Sequence, residues 1–280
     1  MAPRKPPTAV HYTPRDVALV RSACLTLATY LGSFLEDLVV VGGLVPTLLI
    51  PPDEKREPHV GTQDLDLGLS LALLEEARYV ELVAHLRSAN FEPDQNEAGK
   101  PANHRWRHRD ERVTVDFLMA PSGGTPASNA KVRVIETSLS AVLAAGLPLA
   151  FRDRQRITLT GKTLRGEEAT RALWVCGPGA FLVLKALAFR GRGEPKDAYD
   201  LLYVLENFGA TYVSDVANVL RPLLDNEPAN DAVVILKEDF STADRPGPMR
   251  AAEFLGRSGD AAFRADKAGA VNELLRSLGR

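Results

Sequence analysis

Gly61-Thr62-Gln63-Asp64-Leu65-Asp66-Leu67-Gly68-Leu69-Ser70 sets leucine at 65, 67 and 69 against an acidic or small residue at 64, 66, 68 and 70. A period of two over this length predicts a strand with one apolar face and one acidic end. Residues two apart in a strand point to the same side. Asp64 and Asp66 therefore emerge together, with no basic residue between them. Two neighbouring carboxylates repel, and in isolation one of them tends to keep its proton; a divalent cation removes that penalty.

Upstream, Leu38 to Val41 is a short β-branched run ended by Gly42-Gly43, and Leu44 to Ile50 reads as a helix stopped by Pro51-Pro52. A charged loop follows from Asp53 to Glu57. Glycines at a strand-to-helix turn let the backbone approach a phosphate, and the first helical amides point at the anion. Downstream, His104 to His108 and Val113 to Met119 flank the polar turn Arg109 to Arg112 and read as a hairpin. Asp116 lies between Val115 and Phe117 and so faces away from both. If its strand lies beside that of Asp64 and Asp66, three acids converge. Hard oxygen ligands with room left for phosphate and water suit Mg²⁺, and a pair of such ions clamps an in-line displacement at phosphorus. Gly-Gly alone is commonly a plain turn, and strand ends often carry acids. The three features in this order are far more specific than any one.

The remainder reads more coarsely. Arg15 to Phe34 is a helix with Val17, Val20, Ala23, Cys24, Leu27 and Tyr30 on one side, and Leu73 to Ala89 is amphipathic. Pro121 to Asn129 is a Ser/Gly/Pro loop, and Ala150 to Leu164 holds one or two strands around Thr160-Gly161-Lys162. Gly177-Pro178 opens a helix through Arg190, Pro195 begins another, and the rest is helical between Gly209, Pro222, Pro228 and Pro246-Gly247-Pro248. The expected class is α+β: a loose tail over 1–13, an α/β domain over 14–176 and an all-helical domain over 177–280.

The 280 residues are 45% hydrophobic and 25% charged, which suits a globular chain. No apolar run reaches the roughly 18 residues of a membrane span, and the first 13 residues lack the apolar core of a secretory signal. Cys24 and Cys176 read as buried thiols of a cytoplasmic protein. A net charge of −2 argues against a surface coated for long nucleic acid. Arg105, Arg107 and Arg109, and again Arg152, Arg154 and Arg156, alternate as on one strand face, which makes either a local basic groove or a solvated edge.

Together Val40-Val41-Gly42-Gly43, Gly61-Thr62-Gln63-Asp64-Leu65-Asp66-Leu67 and Val113-Thr114-Val115-Asp116-Phe117-Leu118 resemble the nucleotidyltransferase superfamily with the DNA polymerase β-like fold. Phe181 to Arg190 and Pro195-Lys196-Asp197-Ala198-Tyr199-Asp200-Leu201-Leu202 resemble its AbiEii-type branch, known from toxin–antitoxin and phage-defence systems. The likeness spans roughly residues 38–205. It implies that Asp64, Asp66 and Asp116 hold two Mg²⁺ ions, and that Asp116 helps to deprotonate the attacking hydroxyl. Gly42 and Gly43 would seat the triphosphate, with a hydrogen bond from Thr62. Lys185 would reach the β/γ-phosphates, with Lys196 and Asp197 at the cleft mouth. Independently, Lys185 lies in an apolar run and must snorkel or meet a partner. Lys196 and Asp200, four apart, share a helix face, as a plain salt bridge would. Two positions depart from the family: Gly43 stands where many members have serine, and Gly61 where some have arginine.

The function implied is Mg²⁺-dependent transfer of NMP from an NTP to an acceptor hydroxyl. RNA, notably a tRNA 3′ end, comes first, with a cognate antitoxin as a further partner and no membrane. A protein hydroxyl, a polycationic small molecule such as an aminoglycoside, a degenerate nucleotide-binding member, and a metal-dependent phosphatase or nuclease are the alternatives.

Overall fold

A computed structural model of the protein describes residues 6–70, 76–95, 99–121, 132–136 and 138–280. The chain divides into two compact units. Its class is mixed α/β, compatible with the expected α+β.

The first unit comprises residues 14–45 and 61–176. Its elements in chain order are α1 (Pro14–Tyr30), β1 (Leu38–Val41), the start of α2 (Val45–Leu49), β2 (Asp64–Leu69), α3 (Glu76–Ser88), β3 (Phe91–Gln95), β4 (Pro101–His108), β5 (Thr114–Met119), β6 (Val132–Glu136), β7 (Leu139–Leu143), α4 (Leu147–Arg152), β8 (Arg154–Lys162) and β9 (Glu168–Cys176). Helix α1 buries Val20, Ala23, Cys24 and Leu27, as its periodicity predicts, and stops at Tyr30, four residues early, because Gly32 turns the backbone to a φ of +52°.

The nine strands among the described residues form one mixed sheet in the order β3-β4-β5-β2-β1-β9-β8, with β7 also pairing β5 and β6 pairing β7. Strand β2 is central, parallel to β5 and antiparallel to β1. Leu65, Val115, Trp106 and Phe117 are fully buried, which fixes the register: a slip by one residue would turn them out and the acids in. The expected hairpin is present as β4–β5, pairing Arg105 with Asp116, Trp106 with Val115 and Arg107 with Thr114.

Some elements differ from the sequence reading. Ala150 lies in helix α4, and the strand after it runs through Thr160-Gly161-Lys162 to turn at residues 163–167. Arg152 ends α4 and so shares no strand with Arg154 and Arg156. Strand β3 carries Pro93, which an edge strand tolerates and a periodicity reading discounts. Residues 73–75 of the expected amphipathic helix, and 122–129 of the expected loop, lie outside the described residues.

The second unit comprises residues 6–13, 46–60 and 177–280. From Gly177 onward it holds α5 (Pro178–Arg192), α6 (Pro195–Asn207), α7 (Val213–Leu220), α8 (Glu227–Phe240), α9 (Pro246–Phe254) and α10 (Ala261–Ser277). Proline in the first turn opens α5, α6, α8 and α9, where its missing N–H costs nothing. Two earlier stretches belong to this unit. The expected loose tail ends in Tyr12, which is buried edge-on to Phe254 at 5.7 Å, in a cluster that also contains Tyr199. The expected charged loop is tied down as well: Arg56 Nη1 donates to the Asn207 carbonyl at 2.9 Å, Tyr203 to the Glu57 carbonyl at 3.1 Å, and the Val60 N–H to the Tyr199 hydroxyl at 3.1 Å. Aromatic packing and backbone bonding across more than a hundred residues hold these stretches, and their own sequence has no period to reveal it. No helix among the described residues is long and apolar enough to cross a membrane.

Candidate metal centre

The sheet register assembles the acids. Strand β5 sets Asp116 opposite Asp66 of β2, β1 sets Val41 on the far side of Asp66, and β4 sets Arg105 on the far side of Asp116. Residues level with one another on adjacent strands point to the same face, so Arg105, Asp116 and Asp66 form a cross-strand row. Asp64, two residues before Asp66, heads the next row with Thr114 and Arg107. One carboxylate oxygen from each of Asp64, Asp66 and Asp116 lies within 4.8 Å of the others, so the three could hold a metal ion. Opposite ligands of Mg²⁺ stand about 4.2 Å apart. Only one pair of three ligands can lie opposite; adjacent ligands stand about 3 Å apart, so at least two of the three pairs must come near that distance when an ion is held. The trio's all-oxygen chemistry suits a hard divalent cation better than a soft one.

Gly42 explains why this corner needs glycine. Its φ is +69°, and a Cβ there would lie 1.8 Å from Asp66 Oδ2. The turn residue is held glycine by the carboxylate itself. Gly43 is buried in the same 3-10 turn, and the helix that follows, α2, has only five residues. Gly61 has a φ of +85° and packs so closely on α1 that a Cβ would meet Val17 Cγ2 at 1.9 Å.

Thr62 is almost wholly buried, and its hydroxyl donates to Asp64 Oδ1 at 2.7 Å. A hydroxyl has one proton to give. Here it orients an acid of the centre. Arg105 is the feature that the residue-by-residue reading missed. Nε donates to Asp116 Oδ1 at 2.6 Å and Nη2 to Asp116 Oδ2 at 2.5 Å, while Nη2 stands 4.0 Å from Asp64 Oδ2. Burial works against its charge, but the bond to Asp116 and the charges of Asp116, Asp64 and Asp66 outweigh it and hold the guanidinium protonated. The signal was available. A hairpin turning at 109–112 must put position 105 across from 116.

Of the other arginines in the two alternating sets, Arg107, Arg109, Arg154 and Arg156 face partners in their own unit. Arg107 and Arg109 both bond Glu92, at 2.5 and 2.9 Å. Arg154 stacks 4.2 Å from the Trp174 ring centre, and Glu36 accepts from Trp174 Nε1 at 2.8 Å and lies 3.6 Å from Arg156. Cys24 and Cys176 are buried thiols; burial pushes Cys24 up to about 12 and Cys176 well above its ordinary value.

The expected residues of the helical part form a second polar centre, within the second unit. Lys185 Nζ, on α5, donates to Asp197 Oδ1 at 3.0 Å and Asp200 Oδ2 at 2.7 Å, both on α6. Lys196 Nζ donates to Asp200 Oδ1 at 2.7 Å, Arg192 grips Asp197 with two bonds, and His59 Nε2 lies 2.9 Å from Asp200 Oδ1. Lys185, Lys196, Asp197 and Asp200 are all buried, so the Lys196–Asp200 pair is no surface salt bridge. Burial pushes Asp200 upward, but Lys185, Lys196 and His59 outweigh it and hold the carboxyl well below its ordinary value. The sequence links Asp200 to Lys196 and gives His59 no role. The i, i+4 spacing exposes the first, and nothing in the charged stretch around 59 exposes the second.

His59 is lowered to about 4, chiefly by burial, against the opposing pull of Asp200. The ring is neutral at pH 7, and Nε2–H donates to the carboxylate. An unfolded histidine takes a proton near pH 6.5 that the native one refuses until about pH 4. The unfolded state binds more protons in that window, so stability falls as pH drops through it, by up to about 3 kcal/mol from this residue. We expect the melting temperature to fall steadily from pH 7 to 4.5, and His59→Gln, which keeps a donor to Asp200, to flatten that slope. An equally steep slope in the variant would assign it elsewhere.

Compared with known protein families and with curated proteins, the sequence has no match.

Proposed function

We propose that the protein is a Mg²⁺-dependent nucleotidyltransferase that moves NMP from an NTP to an acceptor hydroxyl. In this reading the first unit is a polymerase β-like catalytic domain and the helices from Gly177 onward a domain of their own. One observation carries it: Asp66 and Asp116 stand in register on adjacent parallel strands, with an oxygen of each and one of Asp64 within 4.8 Å, and the Gly42 backbone lies against Asp66. The acids are collected from separate strands onto one face, beside a glycine turn. Lone acids at strand ends are common; a central strand whose burial pattern is interrupted at Asp66 by the register itself is not explained by solubility.

Mg²⁺, when bound, would neutralise the carboxylates and polarise the phosphate oxygens. The protein's own groups do the rest. Asp64, Asp66 and Asp116 hold the charge that attracts the cation, Thr62 fixes the Asp64 rotamer, and Gly42 leaves the space that Asp66 occupies. The acceptor oxygen attacks the α-phosphorus, the bond to the bridging oxygen breaks, and pyrophosphate leaves. Each Asp116 oxygen accepts one bond from Arg105 and keeps a second lone pair, and the guanidinium lowers the basicity with which that carboxylate could take the hydroxyl proton.

RNA, with a tRNA 3′ end first, is the acceptor class we favour on the resemblance of the motifs, together with a toxin–antitoxin or phage-defence setting and a cytoplasmic location. The test is incubation with each α-³²P-labelled NTP and Mg²⁺, using total RNA or lysate as acceptor, with and without EDTA. EDTA-sensitive label in RNA is expected. Label in protein or in a small-molecule fraction would move the acceptor but keep the chemistry; no EDTA-sensitive transfer from any NTP would overturn the proposal.

A further inference from the structure

Arg105 is an unusual neighbour for an acidic metal centre. It is only 8% exposed, on a strand whose register sets it across from Asp116, and its planar fork engages both oxygens of that carboxylate at once. A fork–carboxylate pair of this kind is among the stronger side-chain bonds and fixes the plane of the acid. The same Nη2 leans towards Asp64 at 4.0 Å. The guanidinium thus lies on the ligand side of the acids, where positive charge is called for. Asp66 lies one strand further along the row, beyond Asp116.

The charges can be followed through binding. Three carboxylates and one guanidinium leave two net negative charges, which one divalent ion cancels. A second ion would leave two uncompensated positive charges in a largely buried site, a state that a polyanionic phosphate substrate relieves and the protein alone does not. We propose that Arg105 is a resident counter-cation: it neutralises Asp116 in the metal-free protein and competes there with a divalent ion. An ion that draws on Asp116 must displace the guanidinium, so it is held more weakly in the substrate-free protein than the three acids alone would hold it. This rests on the metal-centre reading above and deepens it. Arg105 is a positioning residue, acting on the reaction through Asp116.

The test is calorimetric titration of the full chain with Mn²⁺ or Mg²⁺ alone, with no nucleotide, comparing wild type with Arg105→Met. Removing the competing charge is expected to tighten metal binding on the order of ten-fold or more. It is also expected to lower the melting temperature in EDTA and to enlarge the stabilisation that metal provides. Should the Met variant not fold, Arg105→Lys serves, since it keeps the charge but loses the fork; a smaller gain in affinity is expected. A variant that binds metal no tighter than wild type, or more weakly, overturns the inference while the metal centre stands. A wild type that takes up no ion sinks the metal centre and this inference with it. A merely structural arginine would weaken metal binding when removed, so the direction of the change decides.

Discussion

Asp66→Asn is expected to lower nucleotidyl transfer on the order of 10³-fold or more and to weaken divalent-ion binding, with the fold intact. The expectation follows from position. Asp66 stands in the middle of the cross-strand row, between Val41 and Asp116, on the central strand of the sheet. Asparagine has nearly the same shape, so the close approach to Gly42 and the packing of Leu65 and Leu67 on the opposite face survive. What is lost is one formal charge and one anionic ligand out of three. Circular dichroism should overlay with wild type, while Mn²⁺ titration and labelled-NTP transfer both fall. A variant within ten-fold of the wild-type rate would remove Asp66 from the chemistry.

Asp200→Ala is expected to cost about 3–5 kcal/mol of stability. Asp200 is fully buried and accepts from Lys185 at 2.7 Å, Lys196 at 2.7 Å and His59 at 2.9 Å. Alanine takes from two buried ammonium groups a carboxylate that both bond, and Asp197, to which Lys185 also donates, is already held at both oxygens by Arg192. Breaking one member of such a network strands its partners, which costs far more than any surface pair. Arg250–Glu253, for comparison, is about half exposed on both sides, and removing it should be nearly silent. Urea unfolding of the two variants gives the contrast directly. A loss under about 1 kcal/mol for Asp200→Ala would show that water or a rearranged lysine replaces the carboxylate.

The gathering of the three acids was legible because strand periodicity and residue order carry it. The alternation at 64–70 fixed the facing of two acids, the apolar flanks of Asp116 fixed the third, and only the adjacency of β2 and β5 was left to the fold. Thr62, two residues before Asp64 in the same run, bonds that acid. Arg105 escaped because it was read along its strand with Arg107 and Arg109 and not across the hairpin. The ion cluster around Asp200 was half visible: helix spacing joined Lys196 to Asp200, while Lys185 needed the packing of α5 on α6, and His59 needed a loop whose charged residues read as solvent-facing. Strands β3, β6, β7 and β9 went unread. Strands owe their stability to neighbours, and edge or branch strands show little period of their own.

The polypeptide visits the helical unit at residues 6–13, leaves, returns at 46–60, leaves again and comes back for good at Gly177. During synthesis the first two visitors emerge long before the helices they pack on exist. Tyr12 must wait for Phe254, and His59 for Asp200. A truncated product beginning at Gly177 would therefore present an unfilled aromatic seat and a histidine-less charge cluster to solvent. Dissection of this protein at the obvious seam should yield aggregating pieces, and co-expressing residues 1–60 in trans is the natural attempt at rescue.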